Sequence, residues 1–389
     1  MAPTHNKGRI IVFGILFWYP LAGVTFQFLH YLLGLRRLGY DVFYVEDSAR
    51  WIYDPNLNDL SPNATANVTT IARILKQHGL EDRWIFRGAY DGGQCYGQSE
   101  SKLRELYSTA DAFLNVTGAQ ELREEHLKIP SRIYVESDPF ALQVKVARGD
   151  QGTIRMLSQH DALFSFGESL GTPNCAVPIE EFQWLPTRQP VVTDLWKCAE
   201  CGGDTYSTIT TWHNKGKDIE YNGDIWYWTK DREFEKFISL PREHNVRLEL
   251  AATVGPEVQQ LLRENGWATR DSLKLSQDCE QYRQYIQSSR AEFTVARDQY
   301  VRPRTGWFSD RSACYLAAGR PVITQETGFS RHLPAGRGLF AFQTQQEIVQ
   351  AIDAIEADYA AHCRAAREIA YEYFAAEKVL ASLMERAGL

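Results

Sequence analysis

The chain opens with a long apolar stretch that turn-forming residues interrupt. No charged residue occurs between Ile10 and Leu35, and Lys7 and Arg9 precede the stretch as they would precede a signal peptide or a membrane anchor. Gly and Pro residues divide it, however, at positions 14, 20 and 23. The pattern therefore predicts a buried strand over residues 9–13, a loop over 14–23, a helix over 25–38 and a second strand over 41–45. A continuous apolar strand is typical of a parallel sheet that is covered on both faces.

The alternation of short apolar runs with helical patterns continues after an irregular stretch at residues 47–67, which is rich in Asn, Pro and Asp. The apolar runs predict strands over residues 112–116, 132–135, 162–166, 206–211, 247–253, 291–296 and 321–324. The helical patterns cover residues 69–78, 99–108, 232–238, 256–265, 280–289 and 309–318, with a long helical tail over 345–386. Strands and helices that alternate in this way form doubly wound sheets.

The pattern restarts after two prolines, at positions 186 and 190, which indicate a linker. A chain of 389 residues is long enough for two domains at roughly 100 to 200 residues each. We therefore predict an α/β protein with two doubly wound, Rossmann-like domains, residues 1–189 and 190–365, that face each other across a cleft.

Composition narrows the class of protein and its compartment. The chain has 42 Lys and Arg residues and 49 Asp and Glu residues, which gives a net charge of −7. Proteins that bind nucleic acids usually carry an excess of basic residues, so we expect no nucleic-acid partner. The seven cysteines are too few and too scattered for a disulfide scaffold, and they favour a cytoplasmic protein. The interrupted apolar stretch predicts no transmembrane anchor. Cys198 and Cys201 have the spacing of a metal pair, but no second pair follows, so no metal site is predicted.

Polar residues follow many of the predicted strands. Asp47, Glu136 and Asp138 come after strands of the first half, and hydroxyl, Gly and acidic residues come after strands of the second. In doubly wound sheets ligands bind beyond the carboxyl ends of the strands, so these residues are expected at one edge. Such an edge suits a polyhydroxylated ligand that needs many directional hydrogen bonds.

The stretch from Arg304 to Gly328 carries the strongest chemical signal. Ser309 follows a Gly-containing loop and has the character of a helix N-cap, and Gly319 ends that helix. A helix N-terminus with unpaired N–H groups, flanked by Arg304 and Arg311, is a site at which a diphosphate can bind.

Together these motifs resemble the glycosyltransferases of the two-domain GT-B architecture, and the resemblance covers most of the chain. That family places a Gly-rich loop and a Ser before the helix, ends the helix with Gly-x-Pro and puts an acidic residue after the next strand, as Gly306, Ser309, Pro321 and Glu326 stand here. Residues 211–216 are similar to a loop of retaining members in which a Lys-Gly pair meets the phosphates, and Lys215 would be that lysine. Residues 23 and 35–42 look like the family's first βαβ unit.

The resemblance implies an enzyme that moves a sugar from a UDP-, dTDP- or GDP-sugar to a small-molecule or glycan acceptor, without a bound cofactor or metal. The second domain would bind the donor, the first would face the acceptor, and a last helix over 366–389 would cross back onto the first domain. The candidate donor-binding residues are Gly23, Lys215, Lys230, Arg304, Gly306, Ser309, Asp310, Arg311, Glu326, Thr327 and Gly328. The candidate catalytic bases are Asp47, Glu136 and Asp138.

Departures from the family leave the stereochemistry open. Gly306 and Cys314 stand where the glycogen-synthase-like subgroup has two Glu, and Glu326 and Thr327 stand where the plant-type inverting subgroup has an Asp-Gln pair. A non-hydrolysing sugar-nucleotide epimerase and a two-domain sugar-binding protein without enzymatic activity remain alternatives.

The chain is also rich in tryptophan, with ten Trp residues. We expect several of Trp18, Trp212, Trp226, Trp228 and Trp307 to line one cleft.

Overall fold

The first half of the chain forms an eight-stranded sheet whose strands alternate with helices. The computed structural model describes residues 7–48, 50–88, 94–198, 202–214 and 216–389. The elements of this half are β1 (Arg9–Phe13), α1 (Ala22–Arg37), β2 (Asp41–Glu46), β3 (Ile52–Asp54), β4 (Asp59–Ser61), α2 (Thr65–Gln77), β5 (Trp84–Arg87), β6 (Cys95–Gly97), α3 (Glu100–Thr109), β7 (Ala112–Val116), α4 (Glu124–Leu127), β8 (Ser131–Glu136), α5 (Ala141–Ala147), α6 (Gln151–Ser158), β9 (Ala162–Ser165) and β10 (Leu185–Pro186). The strand order is β10-β9-β8-β7-β1-β2-β5-β6, and all neighbours are parallel except β5 and β6.

The second half forms a six-stranded sheet that is parallel throughout. Its elements are β11 (Thr205–Ile209), β12 (Ile219–Tyr221), β13 (Asp224–Trp226), α7 (Asp231–Glu235), β14 (Arg247–Ala251), α8 (Pro256–Glu264), β15 (Ala268–Arg270), α9 (Ser272–Ser276), α10 (Cys279–Ser288), β16 (Ala291–Thr294), α11 (Asp298–Val301), α12 (Asp310–Ala317), β17 (Val322–Gln325), β18 (Leu339–Phe342), α13 (Gln345–Ala357), α14 (Tyr359–Ile369) and α15 (Ala376–Arg386). The strand order is β15-β14-β11-β16-β17-β18.

Strand β1 shows why these sheets form. Ile10 and Val12 pack into a hydrophobic cluster on one face of the first sheet, whereas Ile11 and Phe13 pack into a different cluster on the other face. All four side chains are fully buried, because successive residues of a strand point to opposite faces and helices cover both. The predicted fold class of two doubly wound sheets is confirmed. None of the helices in the described ranges has the length and apolar character needed to cross a bilayer.

The end of the chain returns to the first sheet. Helix α15 packs on α1 so closely that a Cβ atom at Gly34 would lie 2.6 Å from Leu380 and 2.9 Å from Ala376. Beside this contact, the backbone of Val191 pairs with residues Phe374 and Ala376 in a parallel bridge. Two segments therefore run side by side between the halves of the molecule.

Three features of the fold differ from the prediction. The stretch at 47–67 contains a two-stranded hairpin, β3–β4, and a second hairpin, β12–β13, precedes α7. Both were missed because their strands are only three residues long and largely solvent-accessible, so they carry no apolar alternation. The predicted single tail helix is three helices, α13 to α15, which Asp358 and a π-helical turn at Ala370–Phe374 separate.

Candidate functional site

The carboxyl ends of the two sheets face each other across three cavities. The distal cavity, about 420 Å³, lies between Tyr19 and Tyr53 of the first half and the ends of β11, β14 and β15. The central cavity, about 290 Å³, lies between the first turns of α1 and α12. The hairpin cavity, about 410 Å³, lies between the end of β8 and the segment that forms the β12–β13 hairpin. Because both sheets contribute strand ends, this is the ligand-binding edge that doubly wound folds provide.

Three cations lie where the distal and central cavities meet. Lys230, Arg297 and Arg311 line both cavities. Lys230 is 8% exposed, and its ammonium group has no hydrogen-bond or ion-pair partner among the residues that the structure describes. Burial, and then the charges of Arg311 and Arg297, hold the pKa of Lys230 well below its usual value of 10.5. A buried ammonium group without a partner between two arginines is a site that favours an anion.

The two arginines are anchored from opposite halves of the molecule. Arg311 donates to Glu292 (2.5 Å), to Thr294 (2.8 Å) and to the carbonyl oxygen of Ile209 (2.6 Å), all in the second sheet. Arg297 donates instead to Asp138 of the first half at 2.8 Å. This fixed anchoring pre-organises the positive charge before any ligand arrives.

Arg297 is also held by aromatic neighbours. Its guanidinium group lies 3.5 Å from the centre of the Trp228 ring, and it donates to the hydroxyl of Tyr300 at 2.7 Å. Its Nε atom is buried without a partner. A donor of this kind adds to the preference of the site for an anion.

Two helix starts add partial positive charge to the central cavity. Leu21 precedes α1 and Ser309 precedes α12, and neither side chain caps the helix. Gly23 and Ser309 both line the central cavity, so the uncapped turns converge there from the two halves. The unpaired N–H groups of such turns bind phosphate oxygens.

The three predicted bases have different surroundings. Asp138 lines both the central and the hairpin cavities, and it accepts hydrogen bonds from Arg297, Tyr300 and Ser137. Glu136 borders the hairpin cavity, but its oxygens accept from Gln143 and Ser165, and burial raises its pKa to about 8. Burial therefore favours the neutral form of this carboxyl group near neutral pH, which makes Glu136 a weaker candidate base than Asp138.

Asp47 does not line any of the three cavities. Its two oxygens accept hydrogen bonds from Arg87, Arg123 and Tyr107, in a buried cluster beside α3 and α4. The guanidinium groups of Arg87 and Arg123 bind both oxygens of this carboxylate, so Asp47 belongs to a structural ion-pair network.

Asp310 is a further acidic residue of the central cavity. It is the first residue of α12, and burial, and then the charge of Asp138, raises its pKa to about 7.

Two parts of the stretch from Arg304 to Gly328, residues 304–306 and 326–328, form contacts within and between the two halves and do not line the cavities. The amide of Gly306 donates to the carbonyl of Thr327, and the amide of Ser169, in the first half, donates to the carbonyl of Thr305. The carboxylate of Glu326 accepts from the amide of Gly328 at 2.5 Å and so closes its own turn. Arg304 is exposed. None of Arg304, Gly306, Glu326, Thr327 and Gly328 lines the three cavities.

Gly306 provides a stability test of this contact. Its φ is +78°, and a Cβ atom would lie 2.7 Å from both the amide nitrogen and the hydroxyl oxygen of Ser169. We expect Gly306→Ala to lower the free energy of unfolding by about 2 to 4 kcal/mol, because strain and a backbone clash add. Gly223, with φ of +83° and no neighbour within 4 Å, is the matched control, and Gly223→Ala should cost about 1 kcal/mol in the same urea titration. Equal losses would contradict the close approach.

Two residues considered in the sequence analysis lie outside the described ranges, and one residue of the site was not predicted from the sequence. Lys215 lies outside the described residues, as does Cys201, whose spacing from Cys198 was considered above. Among the described residues, no three potential ligands are grouped so as to hold a metal ion. Trp228 and Trp307 line the cavities, whereas Trp212 stacks on Phe234 in the core of the second half. Arg297 was missed, although an arginine directly after a buried strand was a visible signal.

The two facing sheets, with cavities at their carboxyl ends, define the GT-B fold. Two solved structures show the same fold over nearly the whole chain. An α-glucosyltransferase solved in complex with UDP is 10% identical, with a TM-score of 0.60, over 98% of this chain and 100% of its own. The Anabaena protein HepE, solved in complex with UDP and glucose, is 10% identical, with a TM-score of 0.55, over the same shares. No family model and no curated protein sequence matches the chain.

Proposed function

We propose that this protein is a glycosyltransferase that moves a sugar from a nucleotide diphosphate sugar, with UDP-sugars as the first candidates, to a small-molecule or glycan acceptor. The observation that carries the proposal is Lys230, a buried ammonium group without a described partner between Arg297 and Arg311. The likeness of the fold to UDP-bound glycosyltransferases supports it. In this assignment the second half binds the donor, and the first half, residues 1–189 with the returning helix, faces the acceptor.

The leaving group determines what the cations do. When the bond between the sugar carbon and the diphosphate oxygen breaks, its electron pair stays with the nucleoside diphosphate, and negative charge develops there. The central cavity is surrounded by Lys230, Arg297 and the uncapped starts of α1 and α12. In this proposal, their positive charges and unpaired N–H groups stabilise the developing negative charge. These groups supply the role that a metal ion has in other glycosyltransferases, so we propose a metal-independent reaction.

The acceptor side of the reaction needs a group at the boundary between two cavities. Of the three predicted bases, Asp138 alone lines both the central and the hairpin cavities. We assign to it the removal of the acceptor hydroxyl proton as the new glycosidic bond forms. Arg297 fixes this carboxylate at 2.8 Å and links it to the phosphate-binding cluster. The acceptor would then enter through the hairpin cavity.

Composition supports our proposals for the compartment and for the class of acceptor. Five cysteines of the described ranges form no disulfide bond, which supports a reducing, cytoplasmic location; they are Cys95, Cys175, Cys279, Cys314 and Cys363. The net charge of −7 supports a small or glycan acceptor in preference to a nucleic acid.

A panel of ligands tests the proposal. The melting temperature is measured with UDP, dTDP, GDP and ADP and with the corresponding sugars at millimolar concentration. A ligand at 100 times its Kd stabilises the folded state by about 2.7 kcal/mol, so one diphosphate should produce a clear shift. The same donor should release its diphosphate during turnover with acceptor extracts. An altered sugar formed from the donor alone would instead indicate an epimerase, and the absence of any shift would contradict the proposal.

A further inference from the structure

A hairpin of the first half reaches across the cleft to the second. The β3–β4 hairpin carries Pro55, whose carbonyl oxygen accepts a hydrogen bond from the side chain of Gln277 at 2.8 Å. Gln277 follows α9, the helix that begins directly after β15. The hairpin therefore contacts the second half, and its residues Tyr53 and Asn58 line the distal cavity.

The base of this hairpin is fixed by hydrogen bonds to the loop that follows β1. The amide of Tyr53 donates to the carbonyl of Trp18 at 2.8 Å. The side chain of Asn67 donates to the carbonyl oxygens of Phe17 (2.8 Å) and Tyr53 (2.9 Å). The buried carboxylate of Glu46 accepts the amides of Phe17 (2.8 Å) and Trp18 (2.7 Å). The wall of the distal cavity is thus built on the sheet, and it does not depend on a free loop.

The hairpin presents an aromatic surface to the cavity. The rings of Tyr19 and Tyr53 stack with their centres 4.6 Å apart and their planes at 22°, and both line the distal cavity. The hydroxyl of Tyr53 donates to Asn58 at 2.7 Å, which fixes the ring. Tyr19 is 38% exposed, more than a tyrosine that serves only the core.

The opposite wall is polar, and one end of the cavity is cationic. Thr210, Thr253 and Ser272 follow strands of the second sheet and line the cavity opposite the tyrosines. Lys230, Arg297 and Arg311 stand at the end that joins the central cavity. An aromatic wall, a hydroxyl-bearing wall and a cationic end match a flat base, a ribose and a phosphate in that order.

We propose that Tyr53 and Tyr19 form a wall against which the nucleobase of the donor packs, so that the nucleotide bridges both halves of the molecule. This inference rests on the proposed function, because it assumes that the cationic cluster holds the diphosphate. It assigns part of the recognition of the donor to the half of the chain that faces the acceptor. Binding of the nucleotide therefore adds contacts to both halves at the distal cavity.

Calorimetric titration with two probes separates the base from the phosphates. We expect Tyr53→Ala and Tyr19→Ala each to raise the Kd for UDP about tenfold, the usual size of a lost aromatic stacking contact, while the Kd for pyrophosphate stays unchanged. Tyr53→Phe should bind UDP as the wild type does, because the ring is retained. Tyr371→Ala, at a position 63% exposed near the C-terminus, is the matched control and should change neither value.

The outcomes distinguish this inference from the function on which it rests. If the wild type binds UDP and the alanine variants bind it equally well, the aromatic wall is wrong and the function stands. If the wild type binds neither UDP nor pyrophosphate, both the aromatic wall and the proposed function are contradicted. If Tyr53→Ala does not fold, two other measurements test the inference: the UDP affinity of Tyr19→Ala and the hydrogen exchange of residues 52–61 in the wild type. Added UDP should slow that exchange, and an unchanged exchange rate would overturn the inference.

Discussion

Lys230→Met should weaken the binding of UDP at least about 100-fold and, at the same time, raise the melting temperature of the ligand-free protein. Affinity falls because the ammonium group of Lys230 is buried where the distal and central cavities meet and has no competing partner among the described residues. Stability rises because burial of an unpaired charge opposes folding, and methionine fills a similar volume without charge. Titration calorimetry and thermal unfolding measure the two effects.

The control for this variant is a lysine of the same region that already has a partner. Lys236 lies at the opposite end of α7, six residues further along the chain, and binds both oxygens of Glu233 at 2.7 Å. Its side chain is 55% exposed and lines none of the three cavities, so Lys236→Met should leave UDP affinity nearly unchanged. Its melting temperature should fall, in contrast to that of Lys230→Met, because the side chain of Glu233 is only 4% exposed and loses its cation. A Lys230→Met protein that melts earlier and binds UDP normally would show a structural lysine and would remove it from the donor site.

The charge of Lys230 also makes binding depend on protons. Its folded pKa is depressed, so the ligand-free protein gains stability as pH rises from that pKa towards the unfolded value of 10.5. A bound diphosphate raises the pKa again, and UDP should therefore bind with an uptake of up to about one proton in that pH window. Titrations in buffers of different ionisation enthalpy measure this uptake, which Lys230→Met should abolish.

The second large effect is expected at Asp138. Asp138→Asn should lower kcat for sugar transfer about 100-fold, because an amide cannot accept the acceptor proton. The Kd for UDP should stay constant or decrease, because the variant frees Arg297 from the carboxylate that it now contacts at 2.8 Å. The rate is followed as release of the nucleoside diphosphate from the donor that the ligand panel identifies.

A second acidic residue near the hairpin cavity controls for a general loss of charge. Asp224 lies in the β12–β13 hairpin with a side chain 65% exposed, and Asp224→Asn should retain the wild-type rate. A weaker affinity for UDP in Asp138→Asn, with an unchanged kcat, would assign Asp138 to the positioning of Arg297. An unchanged rate and affinity would exclude it from the site altogether.

The sequence indicated the sheets better than it indicated the site. Buried parallel strands such as β1 and β8 are continuous apolar runs, which a single sequence displays directly. Lys230 and Ser309, which were predicted as donor-binding residues, both line the central cavity, and Ser309 has a local signal as the residue that precedes a helix. The assignment of Gly306 depended on a motif, but the structure places this residue against Ser169, 137 positions away in the chain. No local pattern contains that contact.

The two hairpins, β3–β4 and β12–β13, were not predicted from the sequence for a different reason. The strands of β3–β4 and β12–β13 are short and mostly polar, and their positions depend on long-range contacts such as that of Gln277 with Pro55. Tyr53 and the hairpin cavity depend on these segments, so the two chemically distinct ends of the cleft could not be derived from periodicity. Of the three cations between these ends, Lys230 and Arg311 were predicted from the sequence and Arg297 was not.

The parallel bridge between Val191 and Ala375 has a consequence for protein engineering. A chimera that exchanges the donor half with a relative of the same fold must cut the chain twice, and the two cuts lie beside each other in space. Crossover points at the bridge would leave α15 with α1, and the tight contact at Gly34 would remain native. A graft that extended to the C-terminus would instead bring in a foreign helix, and it would fail in packing before its specificity could be measured.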